Sequence, residues 1–210
     1  MKISDDFKKA LSQMSDKEKD KLILRLLKKD LVLTNRLYFE LMQPASVEDL
    51  RENTLNQIYK QLNYVQNNFY SSAYAMMCLR DSSGLINKHL SITKDKYGEI
   101  YLQLNMLDYF LNQNAENLNA RLYKKQYSLN VYIITRLYKL LSQMSSLHED
   151  LRYDFKEILK TIAESISKIP TLMETAIFRG FDVNWLFNFN FPVNTIESQK
   201  ELRANAYLKS

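Results

Sequence analysis

The scarcity of glycine and proline restricts this chain more than any other feature of its sequence. Its 210 residues include three glycines and three prolines, against average usages of about 7% and 5%. Sandwiches, barrels and doubly wound sheets need many tight turns, and most of those turns depend on glycine or proline. The aromatic share of 12% argues against a disordered chain. The sequence therefore predicts an all-α fold.

Signals for the beginning of a helix recur along the chain. Ser15 with Glu18 and Ser46 with Asp49 have the spacing of a capping box, in which the two residues satisfy backbone N–H groups of the first turn. Pro170 suits the first position of a helix. Apolar residues follow these signals at helical spacing. We expect a single domain of about eight to ten helices packed as antiparallel hairpins, either an irregular bundle or a solenoid-like array.

Two internal helix boundaries are predicted from polar residues. The sequence Asp-Ser-Ser-Gly at residues 81–84 is typical of a helix end, with Gly84 in a left-handed cap. The sequence Asn-Gln-Asn at residues 112–114 predicts a second break, and a long helix from about Ala115 to Ser142 follows it.

Residues 90–102 allow two interpretations. They fit a β-hairpin whose loop is Lys94–Gly98, and they also fit a helix that is capped at Thr93 and continues through Ile100. The apolar positions after Thr93 follow a period of 3.6 residues better than a period of two, which favours the helix.

The C-terminal 30 residues differ from the rest of the chain, because aromatic residues alternate with other residues there. The aromatic residues are Trp185, Phe187, Phe189 and Phe191. A period of two predicts an extended segment that places the phenylalanines on one side, and a last helix to about Leu208 should follow. We therefore expect residues 1–180 to form a helical core domain, with 181–210 as an aromatic extended segment plus a C-terminal helix packed on the same domain. The aromatic rings either plug the end of the core or bind a partner, which includes a second copy of the chain in a homodimer.

Charge and cysteine content indicate the cellular setting. Lys and Arg total 29 against 24 for Asp and Glu, so the net charge of +5 is weak evidence for nucleic acid. The single Cys78 cannot form an intramolecular disulfide, which fits a reducing compartment. Acidic residues stand at the N-terminus where a signal peptide would need an apolar run, and no stretch of about 18 apolar residues occurs. We expect a cytoplasmic, soluble protein that does not enter a membrane.

The sequence lacks the motifs of common enzymes and cofactor sites. Two histidines and one cysteine are too few for a Cys/His zinc site, and the glycine-rich loops that bind phosphates or dinucleotides are missing. No metal and no cofactor is therefore predicted. Asp150, Asp154 and Glu157 form an acidic stripe that we interpret as a solvated or salt-bridged helix face.

One basic cluster stands above the background. At 100° per residue, most of its members fall within about 60° of one another on the predicted helix from Ala115 to Ser142. The members are Arg121, Lys124, Lys125, Tyr132, Arg136 and Lys139, flanked by Ser128. This basic stripe can hold phosphates or an acidic protein, and the alternative is an ordinary solvated face. An antiparallel return of residues 147–168 would place Asp154 near Lys139 and Glu157 near Arg136, so its N-terminal half would be the free anion site.

These observations predict a non-enzymatic helical interaction or scaffold module that binds a protein partner. The prediction depends partly on the missing catalytic motifs and partly on the Asn- and Tyr-rich surface of such helical arrays. The alternative is a nucleic-acid or anion-binding protein that uses the basic stripe. A metal-independent enzyme, whose site is assembled from distant helices without a local motif, is the third interpretation.

Overall fold

The computed structural model describes residues 4–42, 45–192 and Glu197. Within these residues the chain forms eleven α-helices and no β-strand, which confirms the all-α class. The helices are α1 (Asp5–Gln13), α2 (Asp16–Leu27), α3 (Leu31–Met42), α4 (Val47–Asn67), α5 (Ser72–Thr93), α6 (Lys96–Asn119), α7 (Tyr123–Met144), α8 (Glu149–Tyr153), α9 (Lys156–Ser167), α10 (Pro170–Phe178) and α11 (Asn184–Phe187). No helix in this part of the chain is both long and apolar enough to cross a bilayer.

The predicted helix starts at serine and proline are confirmed. The backbone N–H of Ser46 donates to Asp49 at 3.1 Å, and the Asp49 N–H donates back to Ser46 Oγ at 3.0 Å, so α4 begins with a complete capping box. Ser15 donates its backbone N–H to Glu18 at 2.9 Å at the start of α2. Pro170 occupies the first position of α10.

The predicted helix end at residues 81–84 is wrong, since α5 continues through them to Thr93. Both serines are buried, and each hydroxyl finds a partner without interrupting the helix. Ser82 donates to Gln61 of α4 at 2.9 Å, and Ser83 donates to the Leu79 carbonyl one turn earlier at 2.9 Å. Gly84 is an ordinary helical residue with open space where a Cβ would stand.

The predicted break at residues 112–114 is also wrong, because α6 extends to Asn119. The amide of Asn114 is buried and donates to the Phe110 carbonyl four residues earlier at 2.9 Å. The actual break lies at residues 120–122, so the next helix starts at Tyr123 instead of Ala115.

Residues 90–102 are helical on both sides of a short turn, which confirms the helical interpretation. The residue that caps the second helix is Asp95, and the predicted cap at Thr93 is wrong. Residues up to Thr93 belong to the end of α5, and Lys94 turns the chain with φ 59°. Asp95 caps α6, because its carboxylate accepts the Gly98 N–H at 2.8 Å.

The residues that form the hydrophobic core come from the stretch of chain between Ile58 of α4 and Leu186 of α11. Helices α4, α5 and α6 pack against one another, α7 packs on α5, α6 and α10, and α9 packs on α6, α10 and α11. The predicted hairpin between the helices after residues 115 and 147 is therefore wrong. The turn at Asp154–Phe155, with a buried Phe155 ring, separates α8 from α9 and directs α9 onto α6.

The acidic stripe does not neutralise the basic one. Asp154 accepts a hydrogen bond from the Tyr97 hydroxyl at 3.2 Å, and Lys139 approaches Glu99 of α6 at 4.0 Å, the limit for an ion pair. Within the described residues, no ion pair therefore joins Asp154 or Glu157 to Lys139 or Arg136.

The C-terminal aromatic segment is helical where an extended segment was expected. Residues 184–187 form α11, and Phe189 has a positive φ of 51°. Leu186 of this helical turn is fully buried and belongs to the core. The last predicted helix, up to Leu208, lies outside the described residues except for Glu197.

Residues 4–42 form a region that we call the N-terminal arm. Its three helices contain no buried residue. Helix α3 packs on α5, and α2 packs on α3. The arm therefore lies on the outside of the core and contributes no buried side chain to it.

Candidate functional site

A groove of about 490 Å³ lies between α5 and α7 and contains the C-terminal half of the predicted basic stripe. We call it the basic groove. The polar residues that line it are Arg80 of α5 and Ser128, Tyr132, Thr135, Arg136 and Lys139 of α7, with Met76, Tyr127 and Val131 as apolar or aromatic wall. This volume is within the range of sites that hold small organic ligands.

Arg136 is held in position by neutral hydroxyl groups. Its Nη2 donates to Tyr132 Oη at 2.8 Å and to Ser83 Oγ at 3.3 Å. The two hydroxyls lie 3.1 Å apart, and the Ser83 hydroxyl is anchored on the Leu79 carbonyl at 2.9 Å. The guanidinium is thus oriented by one nitrogen, and its other N–H groups have no hydrogen-bond partner among the described residues.

The Tyr132 ring lies within reach of two guanidinium groups. The Cζ atom of Arg136 is 5.1 Å from the ring centroid, and the Cζ atom of Arg80 is 5.9 Å from it. Cations are attracted to aromatic faces at such distances. Two positive charges from opposite walls of the groove, one on α5 and one on α7, thus lie near the same ring.

The groove has no carboxylate in its wall. Within the described part of the chain, neither Arg80 nor Arg136 makes an ion pair, and Lys139 reaches only Glu99 at 4.0 Å. The guanidinium groups of Arg80 and Arg136 and the partly neutralised ammonium group of Lys139 thus line the same groove. That arrangement attracts an anion, since nothing in the wall competes for the charge.

The structure brings together only half of the predicted basic stripe. Tyr132, Arg136 and Lys139 line the basic groove, whereas Lys124 and Lys125 are exposed in the first turn of α7. The expected place of Arg121 on this helix is wrong, because the residue lies in the turn before α7. The Arg121 side chain instead contacts Phe69. Its Nη2 donates to the Phe69 carbonyl at 2.8 Å, and its Cζ lies 4.8 Å from the Phe69 ring centroid.

The sequence analysis did not predict Arg80 and Ser83 as members of this site. Ser83 belongs to the predicted helix end at residues 81–84 and Arg80 directly precedes it, and both come about 50 residues before the helix that they face. A continuous α5 would have placed Met76, Arg80 and Ser83 at successive turns of one face. That spacing was the available signal.

The N-terminal arm carries a second candidate site, formed by exposed apolar side chains. The exposed fraction reaches 78% for Leu41 and 74% for Leu31, and it is 59% for Leu24. Further exposed members are Phe7, Ile23, Leu26, Val32, Leu33, Tyr38 and Met42. Monomeric proteins rarely leave so many large apolar side chains uncovered in one region.

The polar face of α2 is strongly basic. At 100° per residue, four cations and one acid fall within an arc of about 100°, which is bordered by Leu24 on one side and Leu22 on the other. These residues are Lys17, Lys21, Arg25 and Lys28 with Glu18. All five are exposed, and none makes an ion pair within the residues that the structure describes. Glu18 instead caps the helix at Ser15.

The four aromatic residues of the predicted C-terminal site lie mostly against the core. Trp185 packs edge-on to Tyr138 with ring centroids 6.2 Å apart. Phe189 and Phe191 are half-buried and lie edge-on to each other at 5.8 Å. Phe187 is at the border of exposure, at 36%. Trp185, Phe189 and Phe191 thus pack against the core, and Phe187 is the one of the four that is exposed.

A buried ionic corner joins α4, α5 and α6. Arg51 donates to Asp95 from Nε at 2.9 Å and from Nη2 at 2.7 Å, and His89 Nε2 lies 3.4 Å from the same oxygen. Gly98 closes the corner, since a Cβ there would overlap with the Asp95 carboxylate and come within 2.7 Å of Arg51 Nε.

This corner shifts the pKa values of its groups. Burial by itself would raise the pKa of Asp95, but the hydrogen bonds from Gly98 and Arg51 and the charge of Arg51 outweigh it, so the pKa lies below its ordinary value of 3.8. Burial lowers the pKa of His89 below 6.5, and the contact with Asp95 opposes this only in part. The Asp95 carboxylate is thus bonded to Arg51, His89 and Gly98 of its own chain, which indicates a structural role for these residues.

Comparison of the chain with protein-family models, curated proteins and solved structures gave no match. Among the described residues, no three His, Cys, Asp or Glu side chains converge as metal ligands would.

Proposed function

We propose that this protein is a non-enzymatic interaction module that binds a protein partner through its N-terminal arm. The observation that carries the proposal is the absence of any buried residue in helices α1, α2 and α3, although α2 and α3 are rich in large apolar side chains and α1 exposes Phe7. Burying such side chains stabilises a complex by about 25 cal/mol per Å² of apolar surface removed from water. A partner that covers the arm would gain this free energy.

The partner's chemistry follows from the charges that border the leucines. Lys17, Lys21, Arg25 and Lys28 have no ion-pair partners within the described residues, so a partner with an apolar patch and an acidic rim complements the arm. A second copy of the chain fits less well, because two arms placed face to face bring like charges together. The partner is therefore another protein whose apolar patch is bordered by carboxylates.

The proposal is tested by photo-crosslinking in the native cell. A photoreactive residue is placed at Leu24 or Leu41 in the arm, and a matched control is placed at Ile177, which is 66% exposed on the core. We expect both arm positions, and not the control, to crosslink one and the same protein. The purified partner should then bind the wild-type chain in calorimetry, and binding should weaken at high salt.

Two double variants test whether the partner binds the arm or another surface of the chain. Leu24→Asn with Leu41→Asn should remove binding of the purified partner, whereas Lys124→Gln with Lys125→Gln, a charge change outside the arm, should leave it unchanged. Crosslinks only to a second copy of the chain would overturn the proposal in favour of a homodimer. Crosslinks only to lipid would overturn it in favour of a membrane-surface helix, and no product specific to the arm would refute it.

A further inference from the structure

We propose that the basic groove between α5 and α7 is a binding site for a small organic phosphate, meaning a phosphate monoester that carries one aromatic or apolar group. This site is separate from the N-terminal arm and does not depend on the function proposed above. The juxtaposition that carries it is two guanidinium groups, from Arg80 and Arg136, on one tyrosine ring at a groove without a carboxylate.

Arg136 is arranged as a ligand-binding arginine would be. Its Nη2 is fixed by Tyr132 at 2.8 Å and by Ser83 at 3.3 Å, both neutral, so the full positive charge of the side chain is retained. The guanidinium is half-buried, while Arg80 is exposed on the opposite wall. An oriented guanidinium presents its remaining N–H groups as a planar fork, which matches two oxygens of a phosphate.

The number of charges favours a phosphate over a carboxylate. A phosphate monoester carries a charge of about −1.5 to −2 near pH 7, and a carboxylate carries one negative charge. Arg80 and Arg136 together carry two unpaired positive charges, and Lys139 adds a third that Glu99 only partly offsets at 4.0 Å. A dianion therefore neutralises the groove better than a monoanion does.

The remaining wall of the groove accounts for the organic part of the ligand. Met76 and Val131 offer apolar surface, Tyr127 offers a ring, and Ser128 and Thr135 offer hydroxyls. A groove of about 490 Å³ is the size of a small-ligand site.

A long nucleic acid fits the same groove less well. Nucleic-acid binding uses many phosphate contacts along a continuous basic track. Here the track is interrupted, because Arg121 is engaged with Phe69 and only Lys124 and Lys125 lie beyond the groove on α7.

The experiment measures the binding of phenyl phosphate to the full chain by calorimetry and by 31P NMR. Phenol, benzoate and inorganic phosphate serve as the comparison ligands, since each lacks one part of the proposed recognition. We expect phenyl phosphate to bind more tightly than all three. Its affinity should fall as the pH drops below the second phosphate pKa of about 6, because the ligand loses its second charge.

Two substitutions test the arginines and one pair serves as the control. Arg136→Gln should weaken binding roughly ten- to a hundredfold, the range for lost hydrogen bonds to a charged group. Arg80→Gln should weaken it by a smaller factor, and this variant keeps the fold because Arg80 is exposed and donates no hydrogen bond to the described residues. Lys124→Gln with Lys125→Gln removes two charges outside the groove and should change the affinity less than about twofold.

The results decide between the groove and its rivals. Equal binding of phenyl phosphate and benzoate would overturn the phosphate assignment, and an equal loss in the Lys124 and Lys125 control would show a diffuse charge effect instead of a site. Tight binding of a single-stranded oligonucleotide, with a steep salt dependence and sensitivity to Lys124 and Lys125, would replace the proposal with a nucleic-acid surface. If Arg136→Gln fails to fold, the Arg80→Gln result still decides.

Discussion

The N-terminal arm and the core are both built from amphipathic helices, yet only the helices of the core bury apolar side chains. Helix α2 in the arm and helix α4 in the core both begin with a serine cap and an acidic residue three positions later. Helix α4 buries Ile58, Leu62 and Val65 completely, whereas α2 buries nothing. Amphipathic spacing therefore predicts the helix and the side that prefers to be covered, but not what covers it.

The difference comes from the number of neighbours. In the core, α4 lies against both α5 and α6, and α6 is surrounded by α4, α5, α7 and α9. In the arm, α3 packs mainly on α5, and α2 packs mainly on α3. Helices farther from the core thus have fewer neighbours that cover them, so the outermost helices leave apolar side chains exposed to water.

The largest expected effect separates the two regions with one pair of leucines. Leu107 of α6 is fully buried and Leu41 of α3 is 78% exposed. Leu107→Ala should lower the free energy of unfolding by about 2–5 kcal/mol, because it removes apolar contacts and leaves a cavity. Leu41→Ala should change it by less than about 0.5 kcal/mol. Chemical denaturation of both variants measures this, and a comparable loss for Leu41→Ala would show that the arm is part of the cooperative core.

A second prediction uses pH, because the ionic corner of the core titrates on acidification. The folded-state pKa of His89 lies below 6.5, so the unfolded chain binds this proton first and the free energy of unfolding should decrease as the pH falls from 6.5. The folded-state pKa of Asp95 lies below 3.8, so its contribution is complete above that pH and is lost as the pH falls below it.

The two stages are assigned by substitution. His89→Gln should flatten the first stage, and Asp95→Asn should reduce the second while lowering stability at neutral pH by about 1–3 kcal/mol, between exposed and buried ion pairs. Thermal melting followed by circular dichroism from pH 7 to pH 3 is the measurement. Unchanged profiles in both variants would remove the corner as the pH-sensitive element.

The smallest expected effect compares the two capping serines. Ser46→Ala should lower the free energy of unfolding by about 1 kcal/mol, because the Asp49 N–H loses its acceptor at the start of a core helix. Ser15→Ala should increase amide hydrogen exchange in α2 without changing unfolding of the core. Hydrogen exchange read together with denaturation distinguishes the two results, and a shared loss of global stability would contradict the separation of arm and core.

The sequence predicted the helical class correctly because scarcity of glycine and regular apolar spacing are local properties. It misplaced helix ends at residues 81–84 and 112–114, because the residue types alone do not show whether the Ser83 or Asn114 side chain ends the helix or bonds back to the preceding turn. A polar residue ends a helix when its side chain competes for the backbone. Here the side chains bond to carbonyls four residues earlier, and the helices continue.

The same reason limited the candidate site. Tyr132, Arg136 and Lys139 were recognised from their spacing on one helix, and they do share the groove. Arg80 completes that groove from α5, and only the packing of α5 on α7 brings it there. Residues on a single face can be grouped from spacing, whereas a site made by two helices requires knowledge of which faces meet.

The glycine at the ionic corner has a consequence for how this chain can change over evolutionary time. Position 98 admits no side chain while Arg51 and Asp95 stay bonded, because a Cβ would stand within 2.7 Å of the Arg51 guanidinium nitrogen and overlap with the Asp95 carboxylate. Selection that keeps the Arg51–Asp95 bond therefore also keeps the glycine, whereas a chain that loses the bond is free to change position 98. A distant relative that has lost every other resemblance could still be recognised by an Asp-x-x-Gly at the start of a helix and an arginine about 45 residues earlier.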